Sequence, residues 1–374
     1  MATNSNERST KGTKSGKRMS AEQYESRKRK KIAIFVIEIL VILLMLIGLY
    51  LVMTKTADEG PKVTVLEPDN LEISEQVVEN ETMKGYMNIA LFGVDASTDK
   101  QLYSNSRSDS IMIASVNMDT GDIKLVSVYR DTYLNIGTDE YIKCNHAYSH
   151  GGAEQAVKML NMNMDMDITN FVTVGYKGLS KVIDGLGGVY IDVDSEELKH
   201  INNYQIDISE KLKCDYTPVT QTGYQLLNGL QATAYCRIRY TLGDDFKRAS
   251  RQREVIKAIE TQAKQANLST LTKVFNDALP YIYTSIDNKV ILDLLGNIGN
   301  YRIAEEAGFP DENMRTVTNV GSKGSSVIPL SLEDNVVWLH QFLFEDQNYQ
   351  VTDGVKEYSA KIAADTNPYI KRNN

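Results

Sequence analysis

The chain lacks most of the signatures that identify an enzyme class at first sight. Three cysteines in 374 residues, an odd number, exclude a disulfide framework. No His-Glu-x-x-His zinc motif, Gly-x-Ser-x-Gly nucleophile turn, P-loop or solenoid-type repeat is present. Cys144, His146 and His150 could bind zinc, but no fourth ligand is evident. The charged residues are therefore the main source of functional information.

Basic residues are concentrated at the N-terminus. Residues 1–31 contain ten Lys or Arg and three Glu, a net charge of +7. Because the whole chain carries −8, the remainder carries −15. This balance argues against nucleic acid as a partner and favours a dedicated anion site for any arginine cluster. The tail itself is polar and is predicted to be disordered.

A 22-residue apolar run, Ile32–Met53, follows the tail and contains one charged residue, Glu38. As a helix it would be about 33 Å long, enough to cross a bilayer. The basic residues before it predict a cytoplasmic N-terminus and an extracellular remainder. A cleaved signal peptide is the competing interpretation, but the run is too long and lacks a cleavage pattern. The sequence therefore predicts a single-pass protein of the cell membrane.

The rest of the chain divides by composition. Residues 54–85 are acidic, contain two prolines and are predicted to form an extracellular stalk. Strand and helix patterns alternate over residues 86–346, which predicts a three-layer α-β-α domain around a central mixed sheet. Residues 347–374 are weakly patterned and are predicted to form a C-terminal tail.

The arginine-rich stretch Tyr235–Gln252 carries the strongest functional signal. The β-prone run Ala232–Tyr240 is predicted to form a strand that contains Arg237 and Arg239. Side chains two residues apart in a strand leave the same face of the sheet. Guanidinium groups bind phosphate through paired hydrogen bonds, so we expect a phosphate site here.

A helix, Phe246–Ala266, is predicted directly after this strand, with Asp244 or Asp245 as its N-cap. Three polar side chains near its first turns share a face because they are three and four residues apart. They are Arg248, Arg251 and Gln252. A helix N-terminus also supplies oriented N–H groups and a favourable dipole for an anion. Surface arginines paired with acids are the alternative interpretation.

Charged residues also flank three predicted strands, Met87–Val94, Ile111–Met118 and Ile123–Tyr129. They are Asp95, Arg107, Asp109, Arg130 and Asp131. Ligands of open α/β sheets gather at strand ends, and carboxylate oxygens suit Mg²⁺ when the ion also binds substrate phosphates. A turn cap is the simpler interpretation for each acid taken alone.

Together these stretches resemble the LytR-CpsA-Psr family. The resemblance runs over roughly Met87 to Ile259 and rests on seven segments in the same order as in that family. They are Leu91–Asp95, Arg107–Met112, Ser127–Asp131, Lys143–Tyr148 with Gly151 and Gly152, Asp184–Val189, Leu227–Ala232 and Arg237–Gln252. One departure is Tyr129, where the family usually has proline before Arg-Asp.

The resemblance implies a cell-wall phosphotransferase. It would move an anionic glycopolymer, such as teichoic acid or capsule polysaccharide, from a polyprenyl-pyrophosphate carrier to peptidoglycan. It also implies Mg²⁺ (or Mn²⁺) held by Asp95 and Asp109. The implied pyrophosphate site consists of Arg107, Arg130, Arg237, Arg239, Arg248, Arg251 and Gln252.

The catalytic assignments are less closely defined. Arg107 and Arg130 would act in catalysis, and Asp131 or Asp245 could accept the proton of the acceptor hydroxyl. Two alternatives stay open for the whole protein. One is a non-catalytic binder of lipid-linked wall precursors, and the other is a pyrophosphatase that hydrolyses the lipid carrier.

Overall fold

The computed structural model describes residues 64–96, 102–103, 106–239 and 244–370. The predicted basic tail, the predicted membrane helix and the first ten residues of the predicted stalk lie outside the described residues. Within those four ranges, no helix is both long and apolar enough to cross a bilayer.

The described strands form one six-stranded sheet and three two-stranded sheets. Six strands make the central sheet in the order β10-β3-β2-β1-β6-β9, which is mixed because β6 runs parallel to β1 and β2 antiparallel to it. The strands of the described chain are β1 (Tyr86–Val94), β2 (Ser108–Asn117), β3 (Asp122–Val128), β4 (Tyr133–Asn135), β5 (Tyr141–Lys143), β6 (Asn170–Val174), β7 (Val189–Val193), β8 (Gly223–Leu227), β9 (Ile282–Thr284), β10 (Arg302–Phe309), β11 (Arg315–Asn319) and β12 (Ser325–Pro329).

The helices lie on both faces of the sheet and beyond its edges. The α-helices of four residues or more are α1 (Glu75–Val78), α2 (His146–Met164), α3 (Tyr176–Gly185), α4 (Ser195–Leu212), α5 (Gly229–Tyr235), α6 (Asp244–Gln265), α7 (Leu268–Ala278), α8 (Asn288–Gly296), α9 (Leu332–Phe344) and α10 (Asp353–Thr366). The predicted α/β class with a central mixed sheet is confirmed.

The two faces of the sheet bury separate clusters because successive side chains of a strand point to opposite sides. Ala90 and Phe92 of β1 belong to the larger cluster, together with Leu160 of α2. Ile89 belongs to a smaller cluster on the opposite face, with Ile256 of α6 packed against it. Helices α2 and α6 therefore cover opposite faces, which gives the three layers.

The predicted strand Ala232–Tyr240 is wrong. The segment Gly229–Tyr235 is helix α5, which begins with a capping box between Asn228 and Gln231. Every residue of α5 is buried, so the helix has no polar face to reveal a helical period. The chain then leaves α5 in a turn, where the N–H of Arg237 donates to Ala234.

Both predicted boundary segments belong to the fold instead of standing apart from it. The described part of the predicted stalk buries four side chains in the larger cluster, namely Leu66, Leu71, Val77 and Met83. In the predicted C-terminal tail, α10 buries Val355 and Ile362 in the same cluster. Only four of the 14 residues of α10 are buried, so its apolar pattern is weak.

We expect α10 to be part of the cooperative unit. Ile362→Ala should lower the free energy of unfolding by about 2–5 kcal/mol, because the side chain is 1% exposed and its removal leaves a cavity. The measurement is a urea titration of the protein. Lys361→Ala on the exposed face is the control and should cost less than about 1 kcal/mol. Equal small effects would show that the helix is dispensable.

Candidate active site

A cavity of about 470 Å³ lies between the central sheet and α6. Its wall is polar where the strands end, at Asp109, Arg130, Arg237, Arg239, Arg248 and Gln252. Further along the strands and α6 it is apolar, at Leu91, Met112, Val172, Val255, Ile256 and Ile259. The cavity therefore suits a molecule with an anionic part and an apolar part.

A β-bulge places Asp109, one of the two predicted metal ligands, opposite the end of β1, next to the other ligand, Asp95. The register of β1 and β2 shifts between Gly93 and Val94, so that Asp109 is the additional residue opposite the end of β1. A Cβ at Gly93 would lie 2.9 Å from that of Ser110, so the close approach of the strands needs glycine. Asp95 follows β1 directly.

Both carboxylates lie close enough to Tyr176 in α3 to change the pKa of its hydroxyl group. Burial raises the pKa of Tyr176 strongly, and the negative charges of Asp95 and Asp109 raise it further. The two acids therefore lie near one point of the cavity wall, as the strand-end pattern predicted.

Asp245, in the first turn of α6, is the centre of the arginine cluster. Its Oδ1 lies 2.7 Å from Nη2 of Arg248, 3.5 Å from Nε of Arg130 and 3.8 Å from Nε of Arg239. Burial raises the pKa of this carboxyl group, whereas Arg248 and Arg130 lower it. One carboxylate thus offsets the mutual repulsion of three guanidinium groups from separate parts of the chain.

The same three arginines retain hydrogen-bonding capacity. The Nε atoms of Arg130, Arg239 and Arg248 are buried and have no hydrogen-bond partner within the described residues. Arg130 also donates to the Asp109 carboxylate at 2.5 Å, and Arg248 donates to the Asp109 carbonyl at 3.1 Å. Buried donors are costly when unpaired, so this arrangement is suited to receiving an anion.

Arg237 reaches the cavity from the turn after α5. Its guanidinium lies over the rings of Tyr176 and Tyr204, 4.7 and 5.5 Å from their centroids. It pairs with Asp207 of α4 and lies 3.9 Å from Oδ2 of Asp95. Two rings and two acids therefore fix its position.

Helix α4 was not predicted, although it supplies Tyr204, Asp207 and Lys211 to this region. The spacing of these residues places them on one face of a helix. Asp194 caps α4 in a capping box with Glu197. That Asp-x-x-Glu pattern at the end of a strand is a sequence signal for a helix start and could have revealed it.

The prediction that Arg251 belongs to the phosphate site is corrected, because this residue lies outside the cavity wall. The residue is 1% exposed and is absent from the cavity wall. Its Nε donates to Glu197 at 2.7 Å, and its Nη1 donates to the carbonyl of Ile238 at 3.0 Å. It therefore joins α6 to α4 and to the turn that carries Arg237.

Four other predicted site residues do not line the cavity within the described structure, namely Asp95, Arg107, Asp131 and Asp245. Asp95 and Asp245 instead contact arginines that do line it, Arg237 and Arg248. Arg107 is exposed just before β2. The pKa of His146 is lowered by burial and also by the charge of Arg107. Asp131 pairs with Lys143 at 3.3 Å. Its negative charge raises the pKa of Arg130 and of Asp245, although Asp131 itself does not line the cavity.

Tyr129 shows how the chain accommodates its departure from the family pattern. Its N–H donates to the carbonyl of Phe309 at 3.0 Å, a bond that proline cannot make. Its ring packs edge-on against Phe246 of α6, with centroids 4.6 Å apart. The substitution therefore attaches the start of α6 to β3 and leaves Arg130 in contact with Asp109.

The metal-binding chemistry of the described residues is limited. No group of three or more His, Cys, Asp or Glu side chains there could hold a metal ion. Cys144 is buried and its thiol donates to the carbonyl of Tyr129, so it is not directed at a metal. Mg²⁺ uses one or two carboxylates together with substrate phosphates, and Asp95 and Asp109 supply oxygens of that type. In this structure Asp109 is paired with Arg130 and Asp95 with Lys211.

The fold and the cavity define an α/β domain that combines an arginine-rich anion site with an apolar wall. Residues 50–327 match the model of the LytR_cpsA_psr family, and the chain belongs to this family. The resemblance seen in the seven sequence segments is thereby confirmed.

The similar proteins include two named polyisoprenyl-teichoic acid–peptidoglycan teichoic acid transferase TagU. The protein from Bacillus cereus (strain AH820) is 28% identical over 278 residues, which cover 71% of this chain and 81% of that protein. The protein from Halalkalibacterium halodurans is 31% identical over 219 residues, which cover 57% of this chain and 64% of that protein.

Solved structures share the fold. One, described as TagT bound to LIIa-WTA, has a TM-score of 0.54 and 24% identity, and the match covers 71% of this chain and 93% of that one. Another, described as the family protein YwtF (TagT) with bound octaprenyl pyrophosphate lipid, has a TM-score of 0.51 and 20% identity, covering 76% and 96%.

Proposed function

We propose that this protein is a membrane-anchored phosphotransferase that moves an anionic glycopolymer from a polyprenyl-pyrophosphate carrier to peptidoglycan. The observation that carries the proposal is the direct junction between three clustered guanidinium groups and an apolar cavity wall. The names of the relatives support teichoic acid as the polymer, and the lipid in one related structure supports the class of carrier.

The arginines would bind the diphosphate. Phosphoryl transfer depends mainly on positioning and on stabilising negative charge that is spread over phosphate oxygens. Arg130, Arg239 and Arg248 are held in advance of binding by Asp245, so they need little reorganisation. Arg237 and Gln252 complete the polar wall.

The prenyl chain would occupy the apolar part of the cavity. Leu91, Met112 and Val172 of the sheet face Ile256 and Ile259 of α6 across it. Burial of a hydrocarbon chain there would contribute roughly 25 cal/mol for each Å² removed from water. This contribution holds the carrier while its diphosphate reacts.

In the reaction, a hydroxyl group of the wall glycan attacks the phosphorus on the glycopolymer side. The new P–O bond forms as the bond to polyprenyl phosphate breaks, and the hydroxyl proton passes to a base. Mg²⁺ (or Mn²⁺) held by Asp95 and Asp109 would neutralise charge on the phosphates. Asp245 is engaged by three arginines and Asp131 by Lys143, so the assignment of the base to either stays a prediction.

Membrane anchoring is part of the proposal and rests on the run Ile32–Met53 and the basic residues before it. The protein would have its N-terminus in the cytoplasm and its catalytic domain outside the cell.

The test is to incubate the full chain with a lipid-pyrophosphate-linked glycopolymer and a peptidoglycan acceptor, with and without Mg²⁺. A ligated, Mg²⁺-dependent product is the expected result. Free phosphorylated glycopolymer would instead identify a pyrophosphatase. Donor that stays bound but unreacted would identify a non-catalytic binder.

A further inference from the structure

Four charged side chains form a closed ring beside the strand end. Lys211 Nζ lies 3.3 Å from each carboxylate oxygen of Asp95 and 3.2 Å from Oδ2 of Asp207. Arg237 closes the ring, because its guanidinium contacts both Asp207 and Asp95. The ring therefore balances two negative charges with two positive charges, and two of its members, Asp207 and Lys211, belong to α4.

The two cations of the ring differ in freedom. Arg237 is fixed by Tyr176 and Tyr204, and its planar fork is suited to one arrangement of partners. Lys211 carries a compact charge on a flexible stem, and its side chain is 33% exposed. Its Nζ lies 5.6 Å from the centroid of the Tyr176 ring, farther than the guanidinium of Arg237. Asp207 lies four residues before Lys211 on α4, the spacing at which a helical ion pair forms without help from other elements. Lys211 can thus leave Asp95 and keep a counter-ion.

The ammonium group and a divalent ion would need the same oxygens. Lys211 contacts both carboxylate oxygens of Asp95, and Asp95 is one of the two carboxylates that fit Mg²⁺. Two cations at contact distance from one carboxylate repel each other strongly. Binding of the divalent ion therefore requires the ammonium group to move away.

We propose that Lys211 is a resident counter-ion of Asp95 that competes with the divalent cation, and that Asp207 receives its ammonium group when the cation binds. This inference rests on the metal site of the proposed function but is independent of the transfer reaction. Because Asp207 and Lys211 both lie on α4, this helix would set the affinity of the site for the divalent cation. In the metal-free protein, Lys211 keeps Asp95 neutralised, so the carboxylates do not repel an incoming diphosphate.

The experiment measures Mn²⁺ binding to the detergent-solubilised full chain, without donor or acceptor, by electron paramagnetic resonance of the free ion. Lys211→Met removes the charge and retains most of the stem, and should tighten Mn²⁺ binding about tenfold, the effect expected for one cation beside a partly exposed carboxylate. Asp207→Asn should weaken binding, because Lys211 and Arg237 then have only Asp95 as a nearby carboxylate.

Lys199→Met is the matched control. Lys199 lies on the same helix, is 61% exposed and pairs with Glu196, so its loss should leave Mn²⁺ affinity unchanged. The inference is overturned if Lys211→Met binds Mn²⁺ with unchanged or lower affinity, or if neither that variant nor the unaltered protein binds it. Absence of glycopolymer transfer alone would contradict the proposed function and leave this result standing.

Discussion

Replacing Arg239 by alanine is expected to abolish glycopolymer transfer while leaving the fold intact. Its guanidinium lies in the cavity wall, and its Nε is buried without a hydrogen-bond partner among the described residues. Removing one preorganised charge of this kind should lower the rate by at least about 100-fold. Its contacts with Asp244 and Asp245 are long, at 3.6 and 3.8 Å, so unfolding should change by less than about 1 kcal/mol.

The measurement combines the transfer assay with a urea titration of the same preparation. Arg302→Ala is the control, because this arginine is 69% exposed and pairs with Asp122 near the edge of the sheet, away from the cavity wall. That variant should keep full transfer. Survival of transfer in Arg239→Ala would show that the arginine cluster is not the diphosphate site.

Replacing Arg251 by methionine should destabilise the fold strongly and affect transfer much less. Arg251 and Glu197 form an ion pair at 2.7 Å in which both side chains are almost fully buried. Loss of the arginine leaves the Glu197 carboxylate buried without its cation, which should lower the free energy of unfolding by about 3–5 kcal/mol. Transfer per folded molecule should fall much less than in Arg239→Ala, because Arg251 does not line the cavity.

A second substitution separates the contribution of the buried charge to the loss of stability from the contribution of lost packing. Adding Glu197→Gln to Arg251→Met removes the uncompensated charge and should restore part of the lost stability. Lys257→Met on the same helix is the surface control and should cost less than about 1 kcal/mol, since its pair with Glu306 is half exposed. If Arg251→Met were as stable as Lys257→Met, the ion pair would not join α6 to α4.

The sequence predicted the central strands well because several signals agreed there. The strands β2 and β3 carry β-prone apolar runs, and the turn between them contains Gly121 with a positive φ of 76°. Helix α9 (Leu332–Phe344) also carries agreeing signals, because Ser331 caps a run of apolar residues at helical spacing. In these segments the turn and cap residues indicate the same secondary structure as the pattern of buried apolar residues.

The failures have physical causes. Helix α5 is buried on all sides, so its helical period cannot be read from the sequence. Helix α10 buries only four of its 14 residues, so its apolar stripe is narrow. Strand β10 lies at the edge of the sheet, carries Glu305 and Glu306 side by side and buries only Phe309, so the alternation that identifies a strand is absent.

For the candidate site, the sequence indicates residue types more clearly than the positions of those residues in the fold. Arg237 reaches the cavity although its strand does not exist, because the turn after α5 passes the same wall. Arg248 and Arg251 lie on neighbouring turns of α6, and the sequence cannot tell which one meets the cavity. The partner that decides it, Glu197, lies 54 positions away, a pairing that only the folded chain reveals.

The shared contact with Asp245 makes the three guanidinium groups of the anion site unequal. Arg130 and Arg248 each have a second partner on Asp109, through its carboxylate and its carbonyl. Arg239 has only long contacts in the described structure, with Asp244 and Asp245. A movement of the first turn of α6 would therefore displace Arg239 first, while Arg130 and Arg248 stayed attached to the bulge at Asp109.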